Sequence, residues 1–159
     1  MPQVTNLISK LVPGIKAEFL LDIGIGDGET ITTILPHFGN PVLYGCDPVD
    51  LPSLGVNYWI EKAPYHESTF YEKDFDVITL LDSLPCYHKD KGEQILDHAV
   101  EKSRKLTLVW CPDGYYPYPP FQSCWHPEDF LKRGFSLYRA TNIHQGPPMV
   151  ASGLLAWRI

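Results

Sequence analysis

Apolar and polar positions alternate along this chain in two rhythms that predict different elements. Short runs of large apolar side chains, bounded by turn residues, are typical of buried strands. Such runs occupy residues 19–22, 42–47, 56–60, 76–81, 106–110, 135–143 and 152–159. Apolar residues repeat at helical spacing over residues 2–12, 31–38, 93–105 and 127–133. Because five strands alternate mostly with helices before a closing pair of strands, the pattern predicts a doubly wound α/β sheet.

The connection after the second predicted strand is short. About eight residues separate Asp47 from the strand at 56–60, whereas a crossover with a full helix normally needs roughly a dozen or more. Residues 63–74 are polar and aromatic with weak periodicity, so they could form only a short helix. We therefore expect the sheet to be abbreviated between its second and fourth strands.

Residues 19–30 read FLLDIGIGDGET, which predicts a strand, a glycine turn and the start of a helix. The glycines at 24, 26 and 28 let the backbone turn tightly and approach a ligand closely. The following helix presents unpaired N–H groups and the positive end of its dipole. The pattern predicts a ligand-binding turn, and a simple packing turn between strand and helix is the alternative.

The spacing of the glycines narrows the choice of ligand. A dinucleotide fingerprint would need glycine at position 29, where Glu29 stands, and the Gly-Lys-Ser/Thr of a P-loop does not occur. The pattern Asp22-x-Gly24-x-Gly26-x-Gly28 resembles the first motif of class I S-adenosylmethionine-dependent methyltransferases. In that family the acidic residue and the glycine loop hold the methionine part of the cofactor. A ligand with an ammonium and a sulfonium group, but no phosphate, suits a loop that also carries Asp27.

A second acidic residue ends the next predicted strand. Asp47 lies 25 residues after Asp22 and directly precedes Pro48. A carboxylate at a strand end can accept hydrogen bonds from two ribose hydroxyls. The alternative is that Asp47 only forms the turn before Pro48. The pairing of the two strand-end acids favours a cofactor that contains a nucleoside.

Later stretches extend the resemblance over roughly residues 18–159. LLDSL at 80–84 resembles the family's fourth strand, while VWCPDGY at 109–115 and SCWHPEDF at 123–130 resemble signatures of one small-methyltransferase branch. The resemblance implies a Rossmann-like sheet of seven mostly parallel strands with an antiparallel last strand. The chain departs from the branch at Pro85-Cys86, where relatives often carry Glu-His, and at Phe121-Gln122, where they often carry His-Arg. These departures predict a difference in catalysis or substrate choice, and loss of activity is an alternative.

The resemblance and the strand-end positions together assign candidate residues to roles. Cofactor binding is expected of Asp22, Gly24, Gly26, Asp27, Gly28, Asp47, Pro48, Asp82 and Ser83. Methyl transfer is an in-line displacement, so the protein must align the acceptor and remove any proton on its nucleophile. The catalytic candidates are Asp82, at a strand end, and His88, because imidazole is the usual base near neutral pH. The alternatives are a capping role for Asp82 and a solvated loop position for His88.

Residues 111–126 follow the fifth strand and have neither helical nor strand rhythm. They are rich in proline, which stiffens the segment and lowers the entropy lost when it binds a ligand. Acceptor binding is expected of Asp113, Tyr115, Tyr116, Trp125 and His126. The alternative is a rigid loop whose aromatic rings simply cover the edge of the sheet.

Composition and charge weigh against several other classes of protein. The net charge of −6 divides into −10 for residues 1–101 and +4 for residues 102–159, without a basic stripe. Nucleic acid is therefore not a favoured partner. No apolar run reaches the length of about 18 residues that predicts a membrane span, and the start of the chain lacks the features of a signal peptide. The four cysteines are isolated and the histidines scattered, so we expect no disulfide framework, no metal site and a cytoplasmic location.

The sequence thus predicts a single domain, residues 1–159, that transfers a methyl group from S-adenosylmethionine to an unidentified acceptor. A small-molecule or glycan-like acceptor is compatible with the aromatic segment. Two alternatives stay open. The first is a protein that binds S-adenosylmethionine without transferring its methyl group, and the second is a nucleotide-binding Rossmann module.

Overall fold

A seven-stranded sheet organises the part of the chain that the computed structural model describes, namely residues 2–49, 54, 58–146 and 149–159. In chain order its strands are β1 (Phe19–Ile23), β2 (Val42–Cys46), β3 (Tyr58–Glu61), β4 (Phe75–Leu81), β5 (Ser103–Pro112), β6 (Ser136–Gly146) and β7 (Met149–Arg158). They lie side by side in the order β3-β2-β1-β4-β5-β7-β6. The first five strands run parallel, and β7 is antiparallel to its neighbours β5 and β6. This arrangement confirms the predicted doubly wound sheet with an antiparallel last strand.

Helices cover both faces of the sheet. The described residues form α1 (Pro2–Leu11), α2 (Glu29–Ile34), α3 (Lys89–Lys102) and α4 (Pro127–Leu131). Helices α1 and α2 pack with Leu20 in one buried cluster, and α3 and α4 pack with Leu21 in the other. Since neighbouring strand residues point to opposite faces, the two clusters lie on opposite sides of the sheet. None of the described helices is long and apolar enough to cross a membrane.

The central strand β4 shows why this sequence folds around its middle. All seven of its residues are buried, because β1 and β5 pair with its edges and helices cover its faces. At the other extreme, β3 is an edge strand with only partial burial. The described residues hold no α-helix between β2 and β4, in agreement with the abbreviated connection that the sequence predicts.

Element boundaries differ from the sequence prediction in several places. Helix α3 begins at Lys89 rather than at residue 93, because Gly92 and polar neighbours mask its start. Glycine is required there, since a methyl group added to Gly92 would lie 2.7 Å from a ring carbon of Trp125. Residues 63–74 form a single 3₁₀ turn, Tyr65–Glu67, rather than a short helix. The predicted strand residues 56 and 57 and the predicted turn residues 147 and 148 lie outside the described residues.

Candidate functional site

The carboxyl ends of three neighbouring strands bring the predicted acidic residues to one edge of the sheet. Asp22 lies near the end of β1, Asp47 directly follows β2 and Asp82 directly follows β4. Strands β2 and β4 flank β1 and run parallel to it. The carboxyl ends of parallel strands therefore meet at the edge where open α/β sheets bind their ligands.

Asp22 is the buried member of this group. It is 2% exposed, and its Oδ1 accepts a 2.6 Å hydrogen bond from the Thr79 hydroxyl on β4. Burial raises the pKa of the Asp22 carboxyl to about 7; the charge of Asp47 acts in the same direction, and the Thr79 hydrogen bond opposes both. A cation bound beside Asp22 would favour the carboxylate form. The position therefore suits a positively charged ligand group.

Asp47 holds the glycine turn against the end of β2. Its Oδ2 accepts a 3.1 Å hydrogen bond from the Gly26 N–H, and its Oδ1 accepts a 2.8 Å bond from the Val49 N–H. A carboxylate can accept about four hydrogen bonds, so these two contacts leave capacity for ligand hydroxyls. Pro48 is exposed in the bend beside it.

Two glycines of the turn have opposite surroundings. Both adopt positive φ angles, 78° at Gly24 and 55° at Gly26. A methyl group added to Gly24 would lie 2.5 Å from Cβ of Ser83, whereas one added to Gly26 would meet nothing within 4 Å. Gly24 is therefore required for packing, and Gly26 faces open space that a ligand could enter.

The last part of the turn starts helix α2. Gly28 is the N-cap residue of α2 and has a φ of 75°. The Asp27 Oδ1 accepts a 3.0 Å hydrogen bond from the Glu29 N–H. Asp27 is exposed. The contact of the Asp27 side chain in this structure is thus within the turn itself. Its role in cofactor binding stays a prediction.

Asp82 and Ser83 form a constrained corner after β4. Asp82 has a φ of 59°, which is uncommon for a residue other than glycine, and its N–H donates a 2.7 Å hydrogen bond to the Trp110 carbonyl. The Ser83 side chain is buried, and its hydroxyl has no hydrogen-bond partner among the described residues. Backbone strain and unsatisfied buried groups concentrate at functional sites. Both features therefore point to a ligand at this corner.

The two candidate histidines, His88 and His126, have different surroundings. His88 is exposed just before α3, and the described residues offer its side chain no hydrogen-bond or charged partner. His126, just before α4, lies with its Nδ1 3.6 Å from Oδ1 of Asp113. The geometry thus orients His126 and leaves His88 without an orienting group.

Asp113 has a second partner that the sequence did not reveal. Its side chain is 8% exposed, and its Oδ2 lies 2.5 Å from Nε of Arg139 on β6. The Asp113 N–H donates to the Ser152 carbonyl on β7. Because Arg139 lies in the strand pair that follows the predicted site, only the sheet topology brings it to this edge.

Trp125 corrects the prediction of an aromatic acceptor surface. The residue has no exposed surface and packs in the core against Phe130, with ring centroids 5.7 Å apart. A fully buried ring cannot contact an acceptor, so the structure places Trp125 in a supporting role. Tyr115 and Tyr118 are exposed, and Tyr116 is partly buried against Phe121.

Lys89 anchors the C-terminal end of residues 111–126. Its Nζ lies 3.8 Å from the centroid of the Trp125 ring and donates hydrogen bonds to the Cys124 carbonyl at 2.8 Å and to Asp129 at 2.6 Å. A cation over an indole face and a charged hydrogen bond both stabilise this contact. Residues 111–126 are therefore anchored to α3 and are not a free loop.

The two departures from the family pattern contact each other. The N–H of Gln122 donates a 2.7 Å hydrogen bond to the Pro85 carbonyl, and its side-chain amide donates a 2.9 Å bond to the Cys86 carbonyl. These bonds join the segment after β4 to the segment after β5. The two residue pairs that differ from the family pattern are thus hydrogen-bonded to each other, next to the segment predicted to bind the acceptor.

A cavity elsewhere in the described residues lies away from this group of acids. A cavity of about 460 Å³ lies among Lys16, Asn40 and Lys105, at the opposite end of the sheet. Within its lining, Nζ of Lys105 donates to the Lys16 carbonyl and lies 3.4 Å from Oδ1 of Asp76. In the described part of the chain, no group of three or more His, Cys, Asp or Glu residues is placed to hold a metal ion.

Comparisons by sequence find little. No protein-family model matches the chain. One curated protein, anaphase-promoting complex subunit 2 of Arabidopsis thaliana, is 32% identical over 62 residues, which are 39% of this chain and 7% of that protein. So short a match leaves the family undecided.

Solved structures give a consistent answer about the fold. A SAM-dependent methyltransferase from Archaeoglobus fulgidus superposes with a TM-score of 0.69 at 13% identity, covering 99% of this chain and 94% of its own. The 1,6-didemethyltoxoflavin-N1-methyltransferase of Burkholderia thailandensis gives 0.68 at 18% identity, covering 98% and 75%. An O-methyltransferase family protein from the same organism gives 0.67 at 13% identity, and this chain spans only 55% of its length. The strand order and these likenesses show that the chain has the class I S-adenosylmethionine-dependent methyltransferase fold.

Proposed function

We propose that this chain binds S-adenosylmethionine at the carboxyl edge of its sheet and transfers the methyl group to a small or medium-sized acceptor. One observation carries the proposal: the buried Asp22 carboxyl and Asp47 lie beside a glycine turn whose Gly26 faces open space. A buried acid near a second acid suits the cofactor's cationic methionine part and its ribose. The likeness to solved methyltransferases supports the same interpretation.

The residues present fit this cofactor in several respects. Asp22 would pair with the ammonium group, Gly24, Gly26 and Gly28 would let the backbone approach it, and Asp47 with Pro48 would hold the ribose. The buried hydroxyl of Ser83, which has no partner among the described residues, would gain one from the ligand, and Asp82 would border the same corner. Asp27, which accepts the Glu29 N–H, would add negative potential at the rim.

The chemistry asks little of the protein beyond positioning. The cofactor supplies an electrophilic methyl group on a sulfonium sulfur. The chain must align the acceptor, exclude water and accept a proton where the nucleophile carries one. The acceptor would be held by Asp113, His126, Tyr115 and Tyr116, with Asp82 and His88 as the catalytic candidates from the sequence. One structural neighbour is named for methylating a small molecule, 1,6-didemethyltoxoflavin, which supports a small-molecule acceptor.

A second candidate is a protein that binds S-adenosylmethionine without methyl transfer. Its basis is the sequence: Pro85-Cys86 and Phe121-Gln122 stand where relatives often carry ionisable side chains, and hydrogen bonds join the two segments. Transfer of a labelled methyl group from S-adenosylmethionine separates the two candidates. Binding without any labelled product would favour the second.

Calorimetry should show binding of S-adenosylmethionine and S-adenosylhomocysteine to the purified protein and no binding of NAD. The acidic turn has no phosphate-binding fingerprint, so a pyrophosphate would meet the charges of Asp27 and Glu29. Heat release with NAD and none with the two sulfur ligands would overturn the proposed function.

Gly26→Ala should weaken binding of S-adenosylhomocysteine at least tenfold while lowering stability only modestly. The new methyl group enters the open space proposed for the ligand, and the positive φ costs about 1–2 kcal/mol for a non-glycine residue. Gly134→Ala is the matched control, because Gly134 has a φ of 77° and equally open surroundings after α4. Calorimetry and thermal melts of both variants check the prediction. It would be contradicted if Gly26→Ala bound S-adenosylhomocysteine as tightly as the wild-type protein does.

Tyr118→Ala removes an exposed ring from residues 111–126, the segment predicted to bind the acceptor. It should lower acceptor turnover while leaving the melting temperature and the affinity for S-adenosylhomocysteine nearly unchanged. The Tyr118 ring is 51% exposed, and its described ring contact is with Phe121 at 5.0 Å, so its removal opens no core cavity. Tyr138→Ala on β6 removes another exposed ring as a control. Melts with and without S-adenosylhomocysteine need no known acceptor, and a large fall for Tyr118→Ala would indicate a core-covering loop.

A further inference from the structure

Three side chains from three elements meet beside the end of β5. Asp113 directly follows β5, His126 precedes α4, and Arg139 lies on β6. Arg139 Nε contacts one oxygen of Asp113 at 2.5 Å, and His126 Nδ1 lies 3.6 Å from the other. The Asp113 side chain is almost buried, while the side chains of His126 and Arg139 are more than half exposed. A buried carboxylate thus supports an accessible imidazole.

The two partners use different oxygens of Asp113, so the oxygen nearer His126 is not the one that Arg139 contacts. Arg139 balances the charge of Asp113 and holds the carboxylate plane, so the second oxygen stays turned toward Nδ1 of His126. A proton on Nδ1, turned toward Asp113, would leave Nε2 with its lone pair. A separation of 3.6 Å is longer than a hydrogen bond, and such catalytic contacts commonly tighten when the substrate binds.

The backbone around His126 is also fixed. Its N–H donates a 2.9 Å hydrogen bond to Oδ2 of Asp129, and its carbonyl accepts the Asp129 N–H at 3.0 Å. Gly114 and Trp125 form an isolated antiparallel bridge, so that a methyl group added to Gly114 would lie 3.3 Å from Cε1 of His126. His126 is therefore held over the start of the segment that leaves β5.

Asp113 lies at the carboxyl ends of the parallel strands, as the proposed cofactor site does. Strands β4 and β5 are neighbours, and the Asp82 N–H bonds to the Trp110 carbonyl at their shared carboxyl ends. Asp113 and His126 extend the same edge on the β5 side, whereas Asp22 and Asp47 lie on the β1 and β2 side. The acidic residues of the proposed cofactor site and the imidazole of His126 thus lie at the same ends of the strands, on either side of β4.

We propose that His126 is the general base of the methyl transfer, that Asp113 is its positioning residue, and that the acceptor is therefore a hydroxyl compound. This inference rests on the proposed function. The acceptor oxygen forms its bond to the methyl carbon as the carbon–sulfur bond breaks and leaves its electron pair on sulfur. The hydroxyl proton moves to Nε2 of His126 and then to solvent. A hydroxyl needs this help because its pKa, about 10 even for a phenol, lies well above neutral pH.

The charged groups around His126 are consistent with this role. Asp113 faces it from β5, Arg139 lies behind Asp113 from β6, and Asp129 contacts its backbone from α4. Asp113 and Arg139 compensate each other, so neither leaves a large unbalanced charge at the imidazole. His88 has no such support among the described residues and serves as the competing base in the test.

The tautomer of His126 is the first readout, and it needs no acceptor. Nitrogen-15 NMR of the imidazoles at a pH where His126 is neutral should show the proton on Nδ1, with Nε2 unprotonated. Asp113→Asn should remove this preference, because its amide no longer offers the imidazole a charged acceptor. A proton on Nε2 in the wild-type protein would overturn the proposal, since that nitrogen could not then accept one.

The second readout is the pH profile of methyl transfer. Deuterated-methyl S-adenosylmethionine and a protein-free small-molecule extract identify the product that gains the label. His126→Gln should lower kcat by a hundredfold or more and abolish the rise of rate with pH, while S-adenosylhomocysteine binding is retained. Glu128→Gln, an exposed neighbour on α4, should behave as wild type.

The outcomes separate this inference from the proposed function. A wild-type protein that does not bind S-adenosylhomocysteine overturns the proposed function itself. A wild-type protein that binds it and transfers the methyl group, together with an unaltered pH profile in His126→Gln, overturns only the inference. A loss confined to His88→Gln does the same, as does a labelled product whose methyl group is not on a former hydroxyl oxygen.

Discussion

Replacing Asp22 with asparagine should make the protein more stable at pH 8 and weaken its binding of S-adenosylhomocysteine. The folded protein raises the pKa of Asp22 from 3.8 to about 7, mainly through burial. The folded state therefore holds a proton that the unfolded chain releases, and its stability falls as pH rises from about 4 to about 7. Above that window the buried charge costs up to about 4 kcal/mol. Asparagine carries no such charge and still accepts the Thr79 hydrogen bond.

The expected gain is smaller than this ceiling, because the asparagine amide brings N–H groups that need partners. We expect an increase of about 1–3 kcal/mol in the free energy of unfolding at pH 8 and almost none at pH 4. Affinity for S-adenosylhomocysteine should fall by roughly 10–100-fold, the equivalent of a charge-assisted hydrogen bond of about 1.5–3 kcal/mol. Urea unfolding at both pH values and calorimetry measure the two effects.

Asp27→Asn is the matched control for Asp22→Asn. It removes an acid from the same turn, but Asp27 is exposed and the side-chain oxygen of asparagine can accept the Glu29 N–H in its place. Its stability should change little at either pH. If Asp22→Asn lowered stability at pH 8 and bound the ligand as wild type does, the assignment of Asp22 to the cofactor would be wrong.

The sheet was predictable where local pattern and tertiary environment agree. Strand β4 is apolar except at Asp76 and Thr79 and is buried along its length, so its sequence and its burial largely carry the same information. Asp22 and Asp47 could be placed because a carboxylate at the end of a buried strand has few other roles. Helix α3 was predicted to begin four residues too late because Gly92 breaks the local pattern, and the reason for that glycine is a distant ring, Trp125.

The parts of the site that the sequence did not reveal depend on contacts far apart in the chain. Thr79, which bonds Asp22 from 57 residues away, was visible only as a polar side chain within the apolar run of β4. Arg139 reaches Asp113 because β7 brings β6 to that side of the sheet. Trp125 was misassigned because aromatic residues in a proline-rich segment have no period that separates buried rings from exposed ones.

Trp125→Ala should destabilise the fold more than any other substitution proposed for this chain. The ring has no exposed surface, packs against Phe130 and lies under Nζ of Lys89. Its Nε1 donates a 3.0 Å hydrogen bond to the Ser123 hydroxyl, which the change would leave unpaired. Removing a buried large aromatic costs about 3–5 kcal/mol, and roughly 2–4 °C per kcal/mol is expected for a chain of this size. Urea unfolding and thermal melts measure the loss.

The control for Trp125→Ala is Tyr115→Ala, which removes an aromatic ring that is 68% exposed in the same segment. Its free energy of unfolding should change by less than about 0.5 kcal/mol. Trp125→Phe keeps most of the buried volume, so it should fold and bind S-adenosylhomocysteine as wild type does. It should nevertheless lose acceptor turnover in part, because Trp125 directly precedes His126 and anchors the end of that segment. If Trp125→Ala kept wild-type stability and lost only acceptor turnover, the assignment of Trp125 to the core would be wrong and Trp125 would belong to the acceptor-binding surface.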